Sequence, residues 1–347
     1  MTVASLLTNA QLDSIKNSTI HPSSGRFPTW HPIFNPKPST FDVLSNSSVR
    51  IVSAKGGTAW LTGITSRLTN LGNPEDAAAA LSELRVYGAF LEAGFSVTPI
   101  PTATHTTPDF EVDAGDQTVV VEVFSKHAAP LSVTNAGTIN GKNIQGAVTV
   151  HQPAGIPDPD KLGDSVQANV ISRVCRAKQN EAQIPEDKPS ILWIDFGNFG
   201  LWPQAVTPDQ SCPLISGRDG ITSGALWYAF FGWKGAPIFE PEFDFHEKVF
   251  SMGHDGRFMF KGKQKSKLSG VVFGLNEASV LFENPWANVP ISEQTRRYFE
   301  RLPWFDLDRS VMDWSQGDAE ELVAIGRRKI ERLLEWHSYF DSDECEI

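Results

Sequence analysis

No stretch of about 18 apolar residues occurs anywhere in the 347-residue chain, which excludes a membrane-spanning helix and a membrane partner. The opening residues, MTVASLLTNAQLDSIKNST, lack the basic start and continuous apolar run of a secretory signal. Cysteine is scarce: Cys175, Cys212 and Cys345 are too few and too scattered for a disulfide framework or a cysteine zinc site. A reducing, cytoplasmic compartment is therefore expected. Positive charge is also short, with 30 Lys and Arg against 41 Asp and Glu, a net charge of −11. This excludes a general electrostatic sponge for nucleic acid. It leaves room for a nuclease, because an acidic metal cleft can coexist with a local basic rim. Several catalytic signatures are missing as well. There is no phosphate-binding G-x-x-x-x-G-K-[ST], no H-E-x-x-H, no G-x-S-x-G and no G-x-G-x-x-G after a strand.

What is present is enough to build a core. Hydrophobic residues make up 40% and charged residues 20%, and ten Trp and 22 Phe supply bulk to fill it. Residues 1–40 are dense in Pro, Ser, Thr and Asn and read as a loosely ordered arm pinned by Trp30, Phe34 and Phe41. A short strand is expected over 49–53. The first strong element is a helix over 74–93, with Asn73 as N-cap and Leu81, Leu84, Tyr87, Gly88 and Leu91 on one stripe. Strands are expected over 95–101, 108–113 and 117–125, the last two joined by a turn at Ala114, Gly115 and Asp116. Residues 127–162 read as loop, with a small hairpin around Asn140 and Gly141. A second amphipathic helix is predicted over 164–183, followed by a strongly apolar strand over 190–197. Further strands are expected over 225–231, 270–274 and 279–282, and a terminal helix over 318–336. The division expected is an N-terminal arm and small strand region over 1–73, an α/β core over 74–290 and a C-terminal helical region over 291–347.

The sharpest chemical constellation is Glu83, Asp109 and Glu122. Asp109 follows Pro108 at a strand start, and Glu122 sits among valines in the next strand. A carboxylate in an apolar strand is unfavourable unless it is paired or binds a cation. Carboxylates brought together raise one another's pKa, and a hard divalent ion removes that repulsion.

With these residues in hand, the segment 75–200 resembles the PD-(D/E)XK nuclease superfamily. Pro108 and Asp109, then Glu122 one hairpin later, follow a helix carrying Glu83, in the order helix, three strands, helix, strand. The resemblance implies a restriction-endonuclease-like fold: an α/β core with a mixed central sheet flanked by helices, here with N- and C-terminal additions. It implies that Asp109 and Glu122 bind Mg2+ or Mn2+, that Glu83 completes the site, and that the reaction is phosphodiester hydrolysis; DNA is expected ahead of RNA as the nucleic-acid partner, with the choice between them left open by the sequence. One departure stands out: the family's lysine belongs at position 124, which is Phe124. Lys126 projects to the same sheet face as Glu122, but about 13 Å along an extended strand. Lys178 on the following helix is the reserve lysine, and Gln179 beside it a supporting residue. A cluster at Lys261, Lys263, Lys265 and Lys267, adjoined by Arg257 and Phe258, would present four lysines on one face if extended, and so track phosphates. A solvated loop is the alternative for that cluster, and a homodimer is compatible with the sequence. The alternative function is a catalytically inactive module of the same fold that binds or interacts, marked by the loss of lysine at Phe124.

Overall fold

The structure, a computed structural model, describes residues 1–17, 40–71, 74–101, 107–125, 166–178, 181–197, 208–217, 220–241, 247–262, 265–275 and 278–302, with isolated positions beyond. In chain order the described elements begin with α1 (Asn9–Asn17), α2 (Thr40–Ala54), α3 (Thr58–Leu68) and α4 (Pro74–Glu92). Next come β1 (Ser96–Pro99), β2 (Phe110–Asp113), β3 (Thr118–Ser125), α5 (Val166–Cys175) and β4 (Ser190–Asp195). Then follow β5 (Leu214–Gly217), β6 (Gly220–Ser223), α6 (Ala225–Phe231), β7 (Pro237–Pro241) and β8 (Glu247–Ser251). The last are β9 (Gly270–Gly274), β10 (Ser279–Glu283) and α7 (Glu293–Phe299).

A six-stranded sheet runs β1-β2-β3-β4-β9-β10. The β1–β2 and β2–β3 pairs are antiparallel, β3–β4 and β4–β9 parallel, and β9–β10 antiparallel. The fold is thus α/β with a mixed central sheet flanked by helices. β4, β9 and β10 are buried along their whole length, because helices cover both faces. α4 packs on the face carrying Phe110, Val121 and Trp193: Tyr87 lies 5.5 Å from Phe110 and Phe90 lies 5.2 Å from Trp193, ring centre to ring centre. The opposite face, carrying Ile194 and Phe273, meets α6 through Phe230, 5.5 Å from Phe273. A buried ion pair ties α4 to β4: Arg85 donates from Nε and Nη2 to the two Asp195 oxygens, both at 2.9 Å. Removing one partner of such a pair typically costs about 3–5 kcal/mol.

Residues 49–53 are helical in α2, not a strand. Viewed alone, Val49, Ile51 and Val52 are strand formers. The buried positions are Phe41, Leu44, Ser45, Ser48, Val49 and Val52, a three-and-four spacing that only a helix satisfies. α2 crosses α4 at Gly88, where a Cβ would lie 2.2 Å from Ser48 Oγ, so the crossing admits only glycine. The arm is also more ordered than expected over residues 1–17, which hold a 3-10 turn (Ala4–Leu6) and α1. Phe41 is buried as expected, while Trp30 and Phe34 lie outside the described residues.

Residues 225–231 form α6, not a strand. All seven side chains are buried, so the stretch has no polar face and its periodicity does not separate helix from strand. The second expected helix is shorter than 164–183. It ends at Cys175, and Lys178 and Glu181 then adopt left-handed backbone angles, φ 51° and 44°. Of the expected terminal helix, Ala324, Arg328, Glu331, Arg332 and Glu335 are described and helical. Asn73 and the hairpin expected at Asn140 and Gly141 lie outside the described residues.

Candidate active site

The β2–β3 hairpin builds the site. Its register pairs Phe110 with Val121, which would set Asp109 opposite Glu122. At Asp109 the ladder slips by one residue: its N–H donates to the Val121 carbonyl at 3.1 Å, as at a β-bulge. The Asp109 carboxylate takes over the ladder's next acceptor role, with Val123 N–H donating to Oδ2 at 2.7 Å. Glu122, one position out of phase with Val121 and Val123, projects from the sheet face opposite α4.

Glu122 is 2% exposed, and burial is the main cause that raises its carboxyl pKa. The nearby Lys178 ammonium acts against that shift and the Glu83 charge adds to it. Asp109 is pushed up to about 8, first by burial, then by the charges of Glu122 and Glu83. The Glu122 charge raising the Asp109 carboxyl shows that the two groups lie within electrostatic reach of each other.

The cation beside them is Lys178. Its Nζ lies 2.6 Å from Glu122 Oε1 and 3.4 Å from Gln183 Oε1. Gln183 Nε2 donates to the Thr107 carbonyl at 2.9 Å, tying this segment to the entry of β2. The reserve lysine is therefore the one found beside Glu122. Lys126 and Gln179 lie outside the described residues. Phe124 shares the Glu122 face and packs partly buried against the core.

Glu83 does not join the pair. Arg67 on α3 grips both its oxygens, Nη1 to Oε2 at 2.5 Å and Nη2 to Oε1 at 2.9 Å, and also donates from Nε to Asp76 at 2.7 Å. Glu83 belongs to α4, on the other face of the sheet, and reaches the acid pair only through its charge. Among the described residues, no three His, Cys, Asp or Glu side chains gather as a metal-binding group.

A two-carboxylate metal site remains compatible with what is present. Glu122 Oε2 is buried and has no hydrogen-bond partner among the described residues. An orphaned carboxylate oxygen next to a second carboxyl of raised pKa is a hard donor set short of a cation. Mg2+ is commonly held by one or two carboxylates plus substrate phosphate and water.

The lysine cluster is not one extended face. Lys261 is exposed, Gly262 turns the chain at φ 63°, and Lys265 N–H closes that turn on the Gly262 carbonyl at 3.1 Å. Lys263 lies outside the described residues. Lys265 donates to Asn288 and Lys267 pairs with Glu186, each at 2.9 Å. Arg257 is no part of a basic rim: it is 1% exposed and pairs with Glu181, while Phe258 belongs to the core.

Gln183, Arg67 and the Arg257–Glu181 pair were not legible as site-related from the sequence. Arg257 meets Glu181 from 76 residues away, Arg67 meets Glu83 from a different helix, and Gln183 meets Lys178 across a non-helical turn, so no regular spacing announces them. Comparison of the chain with protein-family models, with curated proteins and with solved structures yields no match.

Proposed function

We propose that the protein is a metal-dependent nuclease with a restriction-endonuclease-like core, hydrolysing phosphodiester bonds in DNA. One observation carries the reading: the buried acid pair Asp109 and Glu122 meets a single lysine, Lys178, at 2.6 Å from Glu122. Two acids and a lysine, set on a hairpin and the following helical turn, form the functional set of the superfamily the sequence resembles. The lysine arrives from a different element, which accounts for Phe124.

Asp109 and Glu122 would hold Mg2+ or Mn2+. The bound metal supplies Lewis-acid polarisation of a phosphoryl oxygen and lowers the pKa of water at the site. The chain's own groups do the rest. Val123 N–H fixes the Asp109 carboxylate in one orientation. Lys178, with a half-exposed side chain, offers its ammonium to the negative charge that grows on the phosphate. Gln183 holds that ammonium from the second side.

A second reading is a module of the same fold that binds without cleaving. The capture of Glu83 by Arg67 favours it, because that carboxylate is lost to a metal. Metal titration separates the two. A nuclease should melt higher with Mg2+ or Mn2+ and should cut plasmid DNA only with metal, and Asp109→Asn and Glu122→Gln should abolish both effects. An unchanged melting temperature, with DNA bound but not cut, would replace the first reading by the second.

A further inference from the structure

We propose that the buried Arg257–Glu181 pair is a positioning device for Lys178, locking the main chain on both sides of the lysine so that its ammonium meets Glu122. The geometric part stands on contacts alone; its catalytic consequence rests on the nuclease reading above.

A lysine side chain has much rotamer entropy to lose, so a fixed Nζ needs a fixed backbone beneath it. Here the backbone is not held by a helix, since α5 has already ended at Cys175. It is held by Arg257, which donates from Nη1 to the Ala177 carbonyl and from Nη2 to the Lys178 carbonyl, the latter at 3.1 Å. These are carbonyls past a helix end, beyond the reach of intrahelical donors; the Lys178 carbonyl also accepts the Glu181 N–H at 3.1 Å. The same guanidinium donates to Glu181 Oε1 from Nε at 3.0 Å and from Nη2 at 2.8 Å. Glu181 is fixed in turn by Ser266 Oγ on Oε1 and Lys267 N–H on Oε2, both at 2.6 Å.

The bracket holds strain in place. Among the described residues, Lys178 and Glu181 are the positive-φ residues other than glycine. Left-handed backbone at a residue with a side chain is unfavourable and persists only where surroundings enforce it. Both such residues sit inside the Arg257 network. The anchor beneath is rigid: Phe258, next to Arg257, packs edge-on against Phe230 at 4.8 Å and Phe231 at 5.5 Å. A buried ion pair stabilises little relative to apolar packing of equal volume. Its distinguishing effect here is directional, because apolar side chains would take the guanidinium donors away from the Ala177 and Lys178 carbonyls, leaving the Lys178 carbonyl only the Glu181 N–H at 3.1 Å.

The test uses the full chain labelled with 15N-lysine. The Lys178 ammonium resonance, assigned by its loss in Lys178→Met, reports the contact with Glu122 whether or not the protein cleaves. Cleavage of supercoiled plasmid DNA with Mg2+ reports catalysis. In Glu181→Gln, which keeps volume and removes charge, the ammonium signal should collapse onto that of mobile lysines. The kcat should fall roughly tenfold or more, with KM for DNA within about twofold. Should Glu181→Gln fail to melt cooperatively, Ser266→Ala, which removes one bond from the same carboxylate, is read instead, with a loss of about threefold or more in kcat. A folded variant that keeps the Lys178 signal overturns the proposal. If the unsubstituted protein cuts no DNA, the nuclease reading fails, and the ammonium signal alone then decides the positioning role.

Discussion

Lys178 Nζ lies 2.6 Å from Glu122 Oε1, so the buried carboxylate of a central strand is met by a cation from the turn after the next helix. One Glu122 oxygen is engaged by that ammonium, and the other, Oε2, has no partner among the described residues. The acid pair is therefore only half neutralised. Its stability should depend on proton and metal in opposite ways.

The proton dependence follows from Asp109. Its carboxyl is raised from the ordinary 3.8 to about 8, chiefly by burial and then by Glu122 and Glu83. The folded state thus binds this proton more tightly than the unfolded chain does. The associated stability is fully present below the unfolded value and is lost as pH rises through about 8. Glu122 is raised as well and acts with the same sign. Calorimetry in the presence of a chelator should therefore show the melting temperature falling as pH rises from 3.8 to about 8, the span between the two states' pKa values. Asp109→Asn should flatten that slope; an unaltered slope would place the titrating group elsewhere.

Metal binding should run the other way. A cation at Asp109 and Glu122 must displace the proton that the raised pKa retains, so Mg2+ should stabilise more at pH 8 than at pH 5.5. Saturation at about 100 times Kd corresponds to about 2.7 kcal/mol. Glu122→Gln should remove the Mg2+ effect. It should also raise the melting temperature of the metal-free protein, since a buried charge is replaced by a neutral group. A Mg2+ shift that survives in Glu122→Gln would exclude this carboxylate from the metal site.

Much of the fold was legible because the sequence signals were local. The α4 stripe, the turn at Ala114 to Asp116 and the valine-rich β3 each follow from a spacing within a few residues. The errors share one physical origin. α6 is apolar on every side, and residues 49–53 are strand-forming when cut from their window, so in both cases tertiary burial decided between helix and strand. At the candidate site, Glu122 stood out because an acid among valines is unfavourable wherever it occurs, and Asp109 because it follows Pro108 at a strand start. Lys178 was visible only as a reserve, since its reach depends on φ 51° at a residue with a side chain, a backbone state that no residue pattern announces. The Arg67 grip on Glu83 was not legible because Arg67 sits on a different helix, so helical spacing did not reveal it.

Arg67 supplies a separate prediction. It bridges α3 to α4 through Asp76 and both oxygens of Glu83. Arg67→Ala should lower stability by about 1–3 kcal/mol in urea denaturation, since charged hydrogen bonds in a half-buried setting are removed. The Mg2+ midpoint should not move, because Glu83 projects from α4 on the other face of the sheet. A markedly tighter midpoint would mean that the released Glu83 swings in as a third ligand.

The lysines give the final prediction, and the structure narrows it. With a net charge of −11, any grip on DNA has to come from a local basic surface. Arg257 is buried and contributes nothing to such a surface. Lys267 is shared with Glu186, and among the described lysines of the cluster Lys261 and Lys265 are exposed. Their segment is joined to the site, since Ser266 and Lys267 bond Glu181 three residues from Lys178. Replacing Lys261 and Lys265 with glutamine should weaken DNA binding. It should also reduce the slope of log K against log salt by about 0.9 for each phosphate no longer neutralised. Cleavage at saturating DNA should persist, because neither lysine touches Glu122 or Asp109. Fluorescence anisotropy across a salt series measures the slope, and an unchanged slope would reduce the segment to a solvated loop.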